Sequence, residues 1–423
     1  MLEVEQRLKA NAIEIKLVRL RNFRNYGAAA VPVGAGKTIL IGENAQGKSN
    51  FLEAIEVAGS GRSRRAAQDA DLIAWGEKQM SVEVSFRRLG EDEQVFFAIS
   101  RQPGASRVGG RQVKVNGVSH SSARALIGHL VTVGFASQDL NLIRGGPAYR
   151  REWMDGIILR LRPSFHDVLS SYAKVVVQRN RLLKTLYEKG RVAVADQDQL
   201  LVWDRQLARF GSQIVKARVR LLTELLPGAR EFQSHLSGQK ERLEADYVFR
   251  SLEGREESED GQLLVAEPTG RDCLAAESLS RYQEEEIAGL LSRMLKERRG
   301  EEIARRQTLV GPHRDDVSLR LNGVSAVTFA SQGQQRSLVL ALKVAELRRL
   351  TAAAGESPVL LLDDVLAELD CGRQRLLMSA FSPQAQTIIT TTHLAGFEPE
   401  WLEDATIYSV ARGEVEAVDR GRV

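Results

Sequence analysis

Two short motifs more than 300 residues apart constrain what this 423-residue chain can fold into. The first, Gly42-Glu43-Asn44-Ala45-Gln46-Gly47-Lys48-Ser49, fits the pattern G-x-x-x-x-G-K-[ST]. It follows an apolar strand, Thr38-Ile39-Leu40-Ile41, and a helix is expected from near Asn50. Glycines in such a loop let successive backbone N–H groups turn inward, forming an anion nest at a helix N-terminus. Lys48 then reaches the β- and γ-phosphates of a nucleotide, and the Ser49 hydroxyl holds magnesium. The second motif, Val359-Leu360-Leu361-Leu362-Asp363-Asp364, is a run of aliphatics ending in two acids. It reads as a strand buried on both faces of a parallel sheet. Asp363 is expected to complete the magnesium shell and Asp364 to orient or activate the attacking water. Taken alone the run is equally a buried strand ending in a solvated acidic turn; the phosphate loop favours the metal.

For both motifs to serve one site, the chain must leave a nucleotide-binding unit and return to it. Residues 13–26 begin with strand-like alternation, residues 81–100 read as a hairpin, and Asn116-Gly117 is a turn signal. A helical apolar stripe then runs from Phe165 to Tyr187. A second runs from Leu200 to Leu225 and is expected to stop at Pro227-Gly228. At ~1.5 Å per residue each helix spans roughly 40 Å, which suggests an antiparallel helical arm. Leu243, Ala245, Tyr247 and Phe249 alternate like a strand, and residues 252–262 form an acidic loop. A third helix is expected around 278–299, strand-like sequence at 308–321, and strand, helix, strand from Pro358 onward. The fold class is therefore α/β, a P-loop unit of mixed sheets and helices carrying an inserted helical arm. The expected domains are a discontinuous head over 13–150 and 303–423 and an arm over 151–302, with residues 1–12 as an N-terminal extension.

Composition excludes several classes. Hydrophobic residues make up 43% and charged residues 27%, a globular balance. Nothing approaches the ~18 consecutive apolar residues of a membrane span, and the N-terminus has no secretory block, so no membrane partner is expected. The two cysteines, Cys273 and Cys371, rule out a disulfide framework or a four-cysteine zinc site and suit a cytoplasmic setting. Lys+Arg 59 against Asp+Glu 55 leaves a net charge of +4, too small to announce nucleic acid by itself. The bases are largely arginine and come in clusters: Lys16/Arg19/Arg21/Arg24, Arg62/Arg64/Arg65, Arg150/Arg151, Arg298/Arg299 and Arg305/Arg306. Arginine forks suit phosphate geometry.

Four further features can join the nucleotide site. Ser331-Gln332-Gly333-Gln334 opens a strongly helical segment, either as a second helix N-terminus that meets an anion or as an ordinary N-cap. His393 ends a β-branched strand, where it can contact a γ-phosphate; its alternative is a structural histidine. Gln138 follows Val131-Thr132-Val133 and can sense magnesium or the attacking water, or be an ordinary surface glutamine. Asp370, just past Asp363, is a candidate for a contact across a dimer interface.

Taken in order, GENAQGKS, Gln138, SQGQ, LLLDD, Glu368-Leu369-Asp370 and His393 resemble the Walker A, Q-loop, signature, Walker B, D-loop and switch histidine of the ABC-type ATPase head. LRNFRNY (20–26), GGPAYRREWMD (145–155), Gln178-Arg179-Asn180, GPHRDD (311–316), FASQGQQRSL (329–338) and DDVLAELD (363–370) narrow the resemblance to the RecF family of bacterial recombination mediators. These motifs span about residues 13–410. The resemblance implies a cytoplasmic DNA-repair ATPase that dimerises with ATP, binds DNA near single-strand/double-strand junctions and hydrolyses ATP slowly to reset. It also implies partners, RecR and RecO, with RecA loading as the downstream step. Carried over, Gly42 through Asn50 bind the nucleotide, Ser49 and Asp363 hold Mg2+, and Ser331, Gly333 and Gln334 complete the ATP site of a second copy. Two positions depart from the pattern. Ser137-Gln138 stands where relatives usually carry Pro-Glu, and Asp364 replaces the glutamate of most ABC heads, a shorter arm that fits slow turnover.

Three other readings stand beside this one. A transporter's ATPase subunit shares the nucleotide site but does not split its head with a 150-residue helical insert. A chromosome-maintenance ATPase needs far longer coiled coils than ~40 Å. A nucleotide-gated DNA clamp with negligible turnover is closer, and phosphate release separates it from an ATPase.

Overall fold

The computed structural model describes residues 12–101, 108–190, 193–248, 273–275, 281–381, 385–394, 397, 399–402 and 404–418. The acidic stretch 252–262 and nearly all of the extension 1–12 lie outside the described residues. The opening alternation becomes β1 (Glu14–Phe23), which turns directly into β2 (Tyr26–Pro32). β3 (Lys37–Ile41) feeds the phosphate loop and the helix Lys48–Ser60. β4 (Gln79–Arg88) and β5 (Glu91–Arg101) form the expected hairpin. Asn116 and Gly117, both at positive φ, join β6 (Val108–Val115) to β7 (Val118–His120), the backbone that a two-residue Asn-Gly turn requires. β8 (Thr132–Ala136) follows.

The chain divides into two compact units, Met1–Asp139 with Lys343–Val423, and Leu140–Leu342. The sequence pattern places these boundaries near 150 and 303. In the structure the helix Pro147–Leu161 and residues 303–342 go with the helical unit, because Arg150 binds Asp316 and the later strands pair with the middle of the chain.

In that second unit, the helices His166–Lys189 and Val194–Leu236 fold back on each other, with Leu183, Leu186 and Leu200 buried where they meet. The first is about 36 Å long and the second about 65 Å. The expected stop at Pro227-Gly228 does not occur: Pro227 sits inside a 43-residue helix. Proline removes one backbone donor, so the Thr223 carbonyl loses its intrahelical partner. Leu222, Leu225, Leu226, Ala229, Phe232 and Leu236 are nevertheless all buried on one continuous stripe, and that packing overrides the local break. The helix Glu284–Glu297 packs along the long helix. β9 (Leu243–Val248), β10 (Cys273–Ala275), β11 (Asp316–Leu321) and β12 (Val324–Ser325) form a four-stranded sheet in the order β10-β9-β11-β12. Strand structure begins at Asp316, not 308, because GPHRDD is a turn.

The helix Gln332–Ala354 leads back to β13 (Val359–Asp363), the helix Cys371–Ser379, β14 (Thr387–Thr391), β15 (Thr406–Ala411) and β16 (Glu414–Ala417). The first unit then holds two six-stranded sheets. One is antiparallel, in the order β2-β1-β4-β5-β6-β7; the other is β16-β15-β3-β14-β13-β8, parallel except for β16. Helix Lys48–Ser60 packs against β4 and β5 of the first sheet and β13 and β14 of the second, so most of its residues are buried. That double burial fixes the helix N-terminus, and hence the phosphate loop, at the carboxyl ends of the parallel strands.

Candidate nucleotide site

Gly42 leaves β3 so close to β15 that a Cβ there would collide with the Val410 carbonyl oxygen. Gly47, at φ +121°, caps the helix in a conformation that L side chains rarely adopt. The loop is braced from outside. Asn25 Nδ2 donates to the Gln46 carbonyl at 2.8 Å, Tyr26 OH donates to the Gly47 carbonyl at 2.9 Å, and Asn50 Nδ2 donates to Asn25 Oδ1 at 2.8 Å. From the turn between β15 and β16, the Gly413 and Arg412 N–H groups reach the Gln46 carbonyl and Oε1 at 3.0 and 2.8 Å. Lys48 is buried, and its ammonium donates to the carbonyls of Gly42 and Glu43 at 2.7 and 2.9 Å. Burial lowers its pKa, opposed by the carboxylates of Asp364 and Asp363.

The two acids arrive on the neighbouring strand. Ser49 Oγ donates to Asp363 Oδ1 at 2.7 Å, and Thr390 Oγ1 donates to the same oxygen at 2.8 Å. Thr390 Oγ1 also accepts the Asp364 N–H at 3.0 Å. Asp364 stands at φ +57°, unusual for a side chain with a Cβ, and its Oδ1 is buried without a hydrogen-bond partner in the structure. Leaving a buried carboxylate oxygen unsatisfied costs about 1–3 kcal/mol or more, so the position suits an incoming donor. A hydroxyl and a carboxylate in contact beside a buried lysine are chemically matched to a phosphate-bound divalent ion. Sequence reading missed Thr390, Asn25 and Tyr26; the last two lie in LRNFRNY, whose presence was the only hint.

Strand register places Gln138 and His393 on the same edge. Ala136 of β8 pairs with Asp363, so Gln138 lies just beyond that strand end, exposed in a 3-10 turn. Thr390 also pairs with Asp363, and His393 lies two residues past the end of β14, exposed, with its carbonyl accepting from Thr391 Oγ1 at 2.8 Å. Asp370 is exposed and caps the helix Cys371–Ser379 through the Arg373 N–H at 2.9 Å. Ser331, Gly333 and Gln334 belong to the second unit. There Ser331 and Gln334 form a reciprocal capping box: Gln334 N–H donates to Ser331 Oγ at 3.3 Å and Ser331 N–H to Gln334 Oε1 at 2.8 Å.

Most of the arginine clusters are committed within the fold. Arg24 makes two bonds to Glu53, and Arg64 pairs with Glu56 and Asp139. Arg150 grips Asp316 through two bonds at 2.7 and 2.9 Å, and Arg151 donates to the Asp315 carbonyl at 2.8 Å. Arg298 and Arg305 pair with Glu301, Arg299 with Asp204, and Arg306 lies over the Tyr187 ring. Lys16 pairs with Glu14 and Arg19 with Glu83, each at 2.7 Å, while Arg21 and Arg62 are exposed.

GGPAYRREWMD, Gln178-Arg179-Asn180 and GPHRDD converge in the second unit. Arg179, fully buried, donates to Asp204, Glu302 and Thr308, while Asn180 Oδ1 accepts the Thr308 N–H at 2.7 Å. Arg218 binds Asp155 through two bonds of 2.8 Å and the Pro312 carbonyl at 2.6 Å. These buried charges are paired and hydrogen-bonded, as their burial demands.

The family described as "RecF/RecN/SMC N terminal domain" matches residues 14–411. A protein of Gloeobacter violaceus named DNA replication and repair protein RecF is 40% identical over 402 residues, covering 95% of this chain and 98% of the relative. The chain belongs to the RecF family. The homologous RecF of Thermosynechococcus vestitus is 40% identical over 404 residues, with 96% and 97% coverage. A solved structure of the recombination mediator protein RecF-ATP in the RecFOR pathway superposes with TM-score 0.80 at 30% identity, covering 96% of this chain and 98% of that one. An Smc head bound to the C-winged helix domain of ScpA, at TM-score 0.51 and 16% identity, shares the fold alone. The first unit thus carries the ABC-type ATPase fold of the RecF family. No helix among the described residues is long and apolar enough to cross a membrane.

Proposed function

We propose that this chain is a cytoplasmic, ATP-dependent DNA-binding protein of recombinational repair and replication restart. One observation carries the reading: the Ser49–Asp363 contact closes a phosphate-loop site in a chain that aligns nearly end to end with RecF proteins. In this reading Gly42, Glu43, Asn44, Ala45, Gln46, Gly47, Lys48, Ser49 and Asn50 bind ATP, and Ser49 with Asp363 holds Mg2+. Ser49 and Asp363 would hold the magnesium, which would supply positive charge against the triphosphate. Lys48 exchanges its loop carbonyls for phosphate oxygens. Asp364 accepts a hydrogen bond from the attacking water through its unpartnered oxygen, and Gln138 and His393, at adjacent strand ends, contact the water and the γ-phosphate. Ser331, Gly333, Gln334 and Asp370 act on the nucleotide held by a second copy, so dimerisation follows ATP binding and slow hydrolysis resets it.

The partners in this reading are double- and single-stranded DNA at junctions, together with RecR and RecO, through which RecA is loaded. The solved relatives named for RecF-ATP and the RecFOR pathway support it. A second reading, a nucleotide-gated clamp with negligible turnover, draws on Asp364, whose side chain is one carbon shorter than glutamate. Phosphate release with and without Mg2+ and duplex DNA, beside gel shifts in ATP, tests both. Mg2+-dependent release stimulated by DNA supports the ATPase. ATP-dependent DNA binding without release supports the clamp. DNA binding indifferent to ATP and to Lys48→Ala overturns both.

A further inference from the structure

Trp75 is 98% exposed, more than any other large apolar side chain among the described residues. Indole rings are highly buried on average, so a fully solvated one is informative. The backbone that carries it is held firmly. Glu77 N–H donates to the Ala74 carbonyl at 3.0 Å, closing a four-residue turn in which Gly76 supplies φ +83°. Ala74 N–H donates to the Asn22 carbonyl at 2.8 Å, Asn22 Nδ2 donates to Glu77 Oε2 at 3.1 Å, and Ile73 bridges to Phe23. The turn is thereby tied to the end of β1.

The outward face of β1 carries Lys16, Arg19 and Arg21, all exposed. Both cross-strand neighbours of Arg21 are small, Ala28 on β2 and Ser81 on β4; Arg19 lies between Ala30 and Glu83, and Lys16 pairs with Glu14. Arg19 pairs with Glu83 yet stays 54% exposed. Lys78, also exposed, follows the turn. A basic row therefore leads up to a single aromatic ring carried on a hydrogen-bonded turn. Gly76, Glu77, Lys78 and Gln79 around it are exposed, and they offer no apolar rim. A protein hot spot needs a packed surround that excludes water. A nucleic-acid strand needs only a ring face for a base and cations for its phosphates.

We propose that Trp75 is a stacking platform for one unpaired base, with Arg21 and Arg19 contacting phosphates of the same strand. This rests on the DNA-binding reading above and gives it a means of preferring single-stranded segments at junctions. The test is fluorescence anisotropy on a single-strand-tailed duplex and a blunt duplex, with ATP and Mg2+, for the full chain and for Trp75→Ala, Trp75→Phe and Arg21→Ala. Trp75→Ala should weaken tailed DNA roughly five- to one-hundred-fold, as loss of one stacked aromatic does, and leave blunt duplex unchanged. Trp75→Phe should keep most of the affinity, and Arg21→Ala should lower the log–log salt slope by about one. Unchanged melting temperatures establish that the variants fold. Wild-type binding to both DNAs with Trp75→Ala equal to wild type, or equally weakened on blunt duplex, overturns the stacking platform. Failure of the wild type to bind any DNA overturns the DNA reading itself.

Discussion

Ser49 Oγ donates to Asp363 Oδ1 at 2.7 Å although 314 residues separate them. The bond joins the first turn of the phosphate-loop helix to the end of β13. Asp363→Asn keeps an acceptor for Ser49 and removes the charge. It should leave nucleotide binding largely intact while Mg2+-dependent hydrolysis falls by of order a hundred-fold. Lys48→Ala, by contrast, should abolish ATP binding. Equilibrium binding of a fluorescent nucleotide, set against phosphate release, separates the two; full hydrolysis by Asp363→Asn would remove the metal role.

Thr390 holds both acids at once, donating to Asp363 Oδ1 and accepting the Asp364 N–H. Valine matches its shape and makes neither bond. Thr390→Val should reduce turnover about tenfold or more and shift the Mg2+ requirement upward, with KM for ATP unchanged. Thr390→Ser should restore both. A valine variant with normal Mg2+ dependence would make Thr390 a plain strand residue.

What the sequence reveals divides by how local the signal is. The phosphate loop and the VLLLDD strand are readable because glycine, lysine and a continuous aliphatic run each carry their own geometry. Thr390 is hidden because a threonine among β-branched residues looks like any strand former. The roles of Asn25 and Tyr26 depend on a contact 21 residues away. The arginine clusters mislead for the opposite reason. Charge is visible in sequence, but the carboxylates that meet Arg150 and Arg299, at Asp316 and Asp204, lie 166 and 95 residues distant.

Pro227 shows packing overruling a local rule. Its ring denies the Thr223 carbonyl a partner on an exposed side of the helix, and the burial of Leu226, Ala229 and Phe232 carries the helix through. Pro227→Ala restores the donor and should raise stability by about 1–3 kcal/mol. Urea unfolding with an unchanged slope would register it; destabilisation would mean that proline shapes the helix in a way the packing needs.

Ser331 already has work inside its own unit as the N-cap facing Gln334. Removing a cap costs roughly 1 kcal/mol, so the dimerisation claim needs a control. Ser331→Ala should lose the cap yet still dimerise with ATP. Ser331→Arg should bind nucleotide normally and stay monomeric, because a bulky cation is placed where the partner's nucleotide is proposed to sit. Analytical ultracentrifugation with ATP decides it, and an ATP-dependent Ser331→Arg dimer would refute the arrangement.

Asp315 and His313 titrate in opposite senses within GPHRDD. Burial raises the Asp315 carboxyl from 3.8 to about 7 against the pull of Arg218, with Oδ2 accepting from Tyr247 OH and Oδ1 buried without a partner in the structure. Burial also lowers His313 from 6.5 to about 4, and its ring is met by Tyr172 OH at Nδ1 and the Thr308 carbonyl at Nε2. Between 3.8 and 7 the folded state holds the Asp315 proton more tightly than the unfolded chain, so that contribution to stability is lost as pH rises and the loss is complete above about pH 7. Between 4 and 6.5 the unfolded chain holds the extra His313 proton, so that contribution grows with pH. The two nearly cancel in the wild type. Asp315→Asn removes one of them: its unfolding free energy relative to wild type should climb from pH 4 to pH 7 and then level off, with a ceiling of about 4 kcal/mol. A difference that stays constant from pH 4 to pH 8 would mean that Asp315 is ionised throughout, held by the Arg218 guanidinium despite its burial.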